Sequence, residues 1–486
     1  MSIENPVVVE NRRPSAADWH LTNPARKREI EGYASATSVN RGELISLFVN
    51  TSSPNFSVEV FRMGWYQGIG ARRVYGPITL AGTAQTMPIM DAATGLMDCA
   101  WIKPFALMTA NPADPTDWAS GVYLTKLTES RYGKQSYIIF VVRDDQRQAD
   151  LLVQQSVTTY QAYNSWSGKS LYKWGSTENK RAVKVSFNRP YAANRQNPAA
   201  AYGVGAGEFL TNLQPHPDSY GVSNAGWEYN MLRWLEREGY DVAYCTNLDT
   251  HTTPVLLLRY KAWLSVGHDE YWSWQMRNHV DAARDAGVHL GFFAANTAYW
   301  QVRFEPSSAS ATPDRIMVCY KSATRDPIAK NGDDSRFTTD KWRNEPVNRP
   351  EEQLIGVMYV SDPVDGDITI KAPTHWVFID TGLSAGATLP GLLGYEVDCV
   401  HAHAPANIEI LAESNWSKLG DFSSKGVAHM TLYTAASGAM VFATGSIQWS
   451  WGLDDYNVPA LRTSRLNSAA QQITRNVLQH FMLSVR

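Results

Sequence analysis

The fold is decided by residues 262–294, AWLSVGHDEYWSWQMRNHVDAARDAGVHLGFFA. The apolar run Ala262 to Val266 reads as a buried strand, Ser273 to Ala286 as a helix that stops at Gly287, and Val288 to Ala294 as a second strand. Strand, helix and strand over this length make a βαβ unit, which belongs to a parallel sheet covered on both faces. The same alternation continues outward. Leu151 to Val157 reads as a strand, Trp227 to Arg237 as a helix with Met231, Leu232, Trp234 and Leu235 on one face, and Tyr240 to Thr246 as the next strand. Pro254 to Leu258 adds a turn of helix. An α/β/α part is therefore expected over 146–486, with a β-rich excursion around 310–435. Ala439 to Ala443 returns the chain to the sheet, and a helix from about Asn467 to Met482 closes it.

Residues 1–145 read differently. Glu43–Val49, Phe56–Phe61 and Tyr137–Val142 are short β stretches separated by Pro, Gly, Asn and Asp, and no helix pattern intervenes. An Ig- or lectin-like β-sandwich domain is expected, with a loop-like segment from Ala81 to Pro115. The polar stretch Ser322 to Pro350 reads as a long surface excursion.

Composition narrows the function. A net charge of −3 over 486 residues offers no basic stripe for nucleic acid. The opening MSIENPVVVENRRP lacks the apolar core of a signal peptide, and no run of 18 apolar residues occurs, so a cytoplasmic protein without membrane partners is expected. Cys99, Cys245, Cys319 and Cys399 form no CxxC pair and read as buried thiols. Charged residues make up only 19%, while 17 Trp and 23 Tyr leave an aromatic excess to explain.

In open parallel sheets ligands bind where the strands end. Three strand exits here carry polar groups among aromatics: Thr158 to Trp166, Gly267 to Trp272 and Ala295 to Trp300. Asp269 or Glu270 reads as a cap for the following helix, while His268 and Glu270, at i and i+2 on a turn, could both face one metal centre. Tyr160, Tyr163 and Tyr172 read either as packing residues or as phenolate ligands for ferric iron. His401 and His403 have strand-like spacing, a weak metal signal. Gly203 to Gly207 lacks the preceding strand of a dinucleotide loop, and neither Walker A nor GxSxG is present.

These exits, with Ser186-Phe-Asn-Arg-Pro190, Trp234 to Val242 and Gly394-Tyr-Glu-Val-Asp398, resemble the large-subunit family of N,N-dimethylformamidase, specifically its shorter single-chain relatives. The resemblance implies a β-sandwich followed by a domain similar to class I glutamine amidotransferases. It also implies mononuclear iron, Fe3+, on two tyrosines and a glutamate. By motif these are Tyr163, Tyr172 and Glu270, with Tyr191 the substitute for Tyr172. Asp269 stands where the family motif has Pro. His268, Asn296 and Glu396 take the catalytic positions. The expected reaction is hydrolysis of a small N-substituted amide, with His268 or Glu396 moving the water proton and Asn296 donating to the oxyanion. A homo-oligomer and a small partner subunit, none being fused here, fit the same resemblance. The competing expectation is a carbohydrate- or ligand-binding protein with a degenerate α/β domain, using exposed Trp65 and Tyr66 in Arg62 to Gly70.

Overall fold

The βαβ unit at 262–294 lies in the middle of a seven-stranded sheet in the computed structural model, which describes residues 4–214, 223–330 and 334–483. The elements of this layer are β1 (Leu151–Gln155), α1 (Val157–Tyr163), α2 (Glu228–Arg237), β2 (Val242–Thr246), β3 (Ala262–His268), α3 (Trp274–Asp285), β4 (His289–Ala295), β5 (Glu409–Lys418), β6 (Asp421–Thr434), β7 (Met440–Ala443) and α4 (Ser468–Leu483). Strand order is β2-β1-β3-β4-β7-β6-β5. The first five are parallel, and β6 and β5 add antiparallel. Every residue of β1 to β4 is buried, as expected for strands covered on both faces.

The chain is mixed α/β, with several sheets and more strand than helix. Two smaller assemblies stand over the sheet. One is the antiparallel hairpin of Met358–Thr369 with Thr388–Cys399. The other contains Lys184–Ser186, Ile316–Val318, Trp300–Glu305 and Tyr271–Ser273.

Before this layer, a five-stranded and a three-stranded sheet face one core built from Ile30, Ile45, Leu47, Val58, Phe140 and Val142. The strand Gln135–Arg143 is apolar on both sides for a reason. Ile138, Phe140 and Val142 enter that core, whereas Tyr137, Ile139 and Val141 pack in the cluster containing Val153 and Tyr244. Alternating side chains thus join the two parts of the chain.

Several expectations are corrected. The strand at Leu151 stops at Gln155, and Val157–Tyr163 is helix, entirely buried. The excursion at 310–435 is shorter than expected, because β5 and β6 are strands of the main sheet. The N-terminal part does contain a helix, Pro6–Asn11, started by Pro at its first position and by Asn5, whose side chain accepts from Val7 N. Phe105–Met108 is a strand inside the segment expected as loop, held by pairing to Leu44–Leu47. Of the polar stretch 322–350, residues 331–333 lie outside the described residues.

Candidate active site at the carboxyl end of the sheet

Three elements deliver the site. Helix α1 follows β1 directly and turns Tyr163 over the sheet edge. Strand β3 ends at His268, where Gly267 takes φ +70, and an added Cβ there would lie 2.9 Å from Trp227 Cβ. Only glycine meets that turn without strain. Neither Asp269 nor Glu270 caps the following helix, since Ser273 does so by accepting from Met276 N. Asp269 is instead buried beneath the site, accepting from Gln154 Nε2 (2.8 Å), Asn247 Nδ2 (2.9 Å) and Ser265 Oγ (3.0 Å). This leaves Glu270, whose amide donates to Thr159 Oγ1, pointing at α1.

Tyr163, Tyr172 and Glu270 come together. Tyr163 OH lies 2.9 Å from Glu270 Oε2, Tyr172 OH 2.9 Å from the same oxygen, and the two phenol oxygens are 2.8 Å apart. Trp300 Nε1 donates to Glu270 Oε1 at 2.7 Å. Tyr271 OH donates to Tyr172 OH at 2.6 Å, and Lys321 Nζ donates to Tyr271 OH at 2.7 Å. His268 Nε2 lies 3.4 Å from both Glu270 Oε2 and Glu396 Oε2, and its Nδ1 is 3.0 Å from Gln214 Nε2. Asn296 enters from the end of β4 with φ +52, its amide donating to Asp398 Oδ1 at 2.8 Å.

Burial sets the charges. It holds both phenols well above the ordinary tyrosine value, reinforced by Glu270. Burial also pushes Glu396 up to about 7, partly offset by His268, and brings Lys321 down to about 8 against the pull of Glu270. It works against His268, but Glu396 and Glu270 hold the imidazole well above its usual range. Glu270 stays below the usual carboxylate value despite its burial, through His268 and Lys321.

The donor set fits a hard cation. Oxygen ligands at adjacent corners of an octahedron with bonds of 2.0–2.1 Å are about 2.8–3.0 Å apart, and the three oxygens form a triangle of that size. Phenolate and carboxylate are hard donors. A trivalent ion would also supply the charge that keeps such phenols ionised. Among the described residues no group of three His, Cys, Asp or Glu could hold a metal. Asn296 Oδ1 is buried without a hydrogen-bond partner among the described residues, the pattern of a group aimed at a ligand, whereas His268 Nε2 is ion-paired with both Glu270 and Glu396.

Other candidates fall away from this point. Tyr191 packs edge-on against the Tyr160 ring, 6.1 Å between centroids, and does not approach Glu270. Tyr160 donates to Glu228. His401 and His403 are exposed on a turn rather than a strand, their amides donating to Glu352. Cys245 is buried, and burial raises its thiol well above the ordinary value, unsuited to a nucleophile. Tyr66, expected to be exposed, is fully buried, and its hydroxyl donates to Glu10. Trp65 is half-buried under the Arg233 and Arg237 guanidinium groups.

The sequence does not mark Lys321, Gln214 or Thr159 as part of the site, and it places Tyr271 and Trp300 only among the aromatics of two strand exits. The aromatic run at 271–274 was a signal for Tyr271; nothing local marks Lys321. A cavity of about 200 Å³ beside Tyr163 is lined by Ser165, Trp174, Thr177, Asn194 and Arg195 among others.

Known proteins bear on this arrangement. The chain is 26% identical to the N,N-dimethylformamidase beta subunit of Paracoccus aminophilus and 25% identical to that of Alcaligenes sp. Each match covers 80% of this chain and 55% of the relative, so the chain spans about half the length of the curated relatives it matches. Residues 57–462 match the family described as N,N-dimethylformamidase beta subunit-like, C-terminal, and with that span, which includes every residue of the cluster, the chain belongs to that family.

Proposed function

We propose that this protein hydrolyses small N-substituted amides, with Tyr163, Tyr172 and Glu270 holding one ferric ion. The observation that carries the proposal is the triangle of three hard oxygens with sides of 2.8–2.9 Å. The names of the relatives support the reaction class. Bound there, ferric iron supplies Lewis acidity toward the amide carbonyl and toward water, with no change in oxidation state.

The chain's own residues do the rest. Glu396, whose Oε2 lies 3.4 Å from His268 Nε2, accepts the proton of the attacking water and passes it to the amide nitrogen. One C–O bond forms and the C–N bond breaks, giving a carboxylic acid and an amine. His268, held cationic between Glu396 and Glu270, keeps both carboxylates in place. Asn296, whose side-chain Oδ1 has no hydrogen-bond partner among the described residues, donates through its amide nitrogen to the oxygen on which negative charge develops. Lys321 and Tyr271 fix Tyr172 from behind. The aromatic walls Trp174 and Trp300 exclude water.

The parallel order β2-β1-β3-β4-β7 with flanking helices supports similarity of the 146–486 part to class I glutamine amidotransferases. The separate core of the preceding sheets supports a β-sandwich domain over 1–145. A cytoplasmic setting and association with a further subunit belong to the same proposal; among the described residues no helix is long and apolar enough to cross a membrane. The test is iron content, visible phenolate-to-iron absorption and hydrolysis of N,N-dimethylformamide by the purified protein. Tyr163→Phe and Tyr172→Phe should each lose the colour and more than about a hundredfold in activity. A colourless, metal-free wild type, or variants indistinguishable from it, overturns the proposal.

A further inference from the structure

The cavity beside Tyr163 has an uneven charge lining. Its floor is the Tyr163 ring, one wall is Trp174, which packs against both phenols at 6.1 and 5.8 Å, and its other described surfaces are small or neutral. Among the described lining residues Arg195 alone carries a formal charge, and no carboxylate lies beside it in the lining. Arg195 is exposed at the cavity mouth, and its guanidinium makes no ion pair or hydrogen bond to any described residue.

The position of Arg195 is built into the fold. Asn194 is buried, donates to Asn212 O at 3.0 Å, and accepts from the amides of Gln196 and Asn197, both at 2.9 Å. These bonds pin the backbone on both sides of Arg195 at the cavity mouth. The opposite wall is pinned too, by Ser176 Oγ donating to Tyr172 O at 2.8 Å and Thr177 Oγ1 to Gly168 O at 3.2 Å.

We infer that Arg195 selects amides that carry a carboxylate on the nitrogen substituent, so that the preferred substrates are small N-acyl amino acids rather than neutral alkylamides. This rests on the amide-hydrolase reading above. The cavity, about 200 Å³, suits a small molecule such as N-formylglycine. With the amide at the phenol floor, the carboxylate reaches the mouth, where a guanidinium grips it bidentately. Hydrolysis then yields formate and glycine, water supplying the oxygen of the new carboxylate and the proton on the amine.

The experiment pairs N-formylglycine with the neutral N-formylglycinamide, which has the same number of heavy atoms. Turnover (kcat/KM) and calorimetric binding are measured for wild type, Arg195→Gln and Arg195→Lys. Wild type should favour the anion about tenfold in both measurements, less at high salt. Arg195→Gln should remove the preference for the anion, and Arg195→Lys should restore part of it. Equal handling of the two amides by wild type, or a preference that survives Arg195→Gln, overturns the inference. If neither amide is turned over, the hydrolase reading fails separately: tighter anion binding that Arg195→Gln abolishes still upholds the assignment to Arg195, and equal or undetectable binding defeats it.

Discussion

Glu396 changes charge near neutrality because burial removes water from a carboxyl whose nearest cation, His268, is 3.4 Å away. If it is the base, only its ionised form works, so activity is lost as pH falls through its pKa. We expect kcat/KM to rise about tenfold per pH unit below an apparent value of about 7 and to level above it. Glu396→Gln should erase that limb and lower the plateau by about 10²–10⁴. A limb that survives the substitution places the base elsewhere. At this scale the sequence was informative where chemistry and chain position coincide. His268, Glu270 and Asn296 stand at strand ends, and Tyr163 and Tyr172 stand in one aromatic stretch. Lys321 was silent, because it reaches the site from a segment after Ile316–Val318, and no periodicity shows which way such a residue points.

At the scale of elements, the exits of β1 and β3 and the start of the helix after β2 are tied together beneath the site by Asp269. Its carboxylate accepts from Gln154 on β1, from Asn247 after β2 and from Ser265 on β3, while its backbone oxygen accepts from Ala298 N after β4. Converging hydrogen bonds thus fix this turn. Asp269→Ala would leave buried amide and hydroxyl donors unpaired and should cost about 2–4 kcal/mol in urea unfolding. It should also loosen retention of the ferric ion proposed above. A variant that keeps wild-type stability would show the turn to be held by packing alone. The βαβ pattern was legible because every residue of β3 and β4 is buried, giving continuous apolar runs. The place of β5 and β6 was not, since much of each strand projects beyond the sheet, and its exposed polar residues read as excursion.

For the whole molecule, the joint between the N-terminal sheets and the α/β layer contains a fully buried ion pair. Arg62 Nη2 lies 2.8 Å from Glu236 Oε1 on α2, and the carboxylate also accepts from Asn11 Nδ2 (2.7 Å) and Tyr244 OH (3.0 Å). Both side chains have no exposed surface, so removing one strands the other's charge. Glu236→Ala should therefore destabilise the chain by about 3–5 kcal/mol in urea unfolding, and the double variant with Arg62→Met should recover part of the loss. Additive losses would mean the two residues act independently.

The insertion of β7 between β4 and β6 bears on how the protein is made. Strand β4 is complete at Ala295, but its outer edge pairs with residues 441–443, which are synthesised much later. Until those residues emerge, an entirely buried-type strand presents open amides and carbonyls to its surroundings, a template for wrong pairing. Chains truncated before Met440 should accordingly precipitate rather than fold to a smaller form, and expression at low temperature or with chaperones should favour the full chain most during that interval.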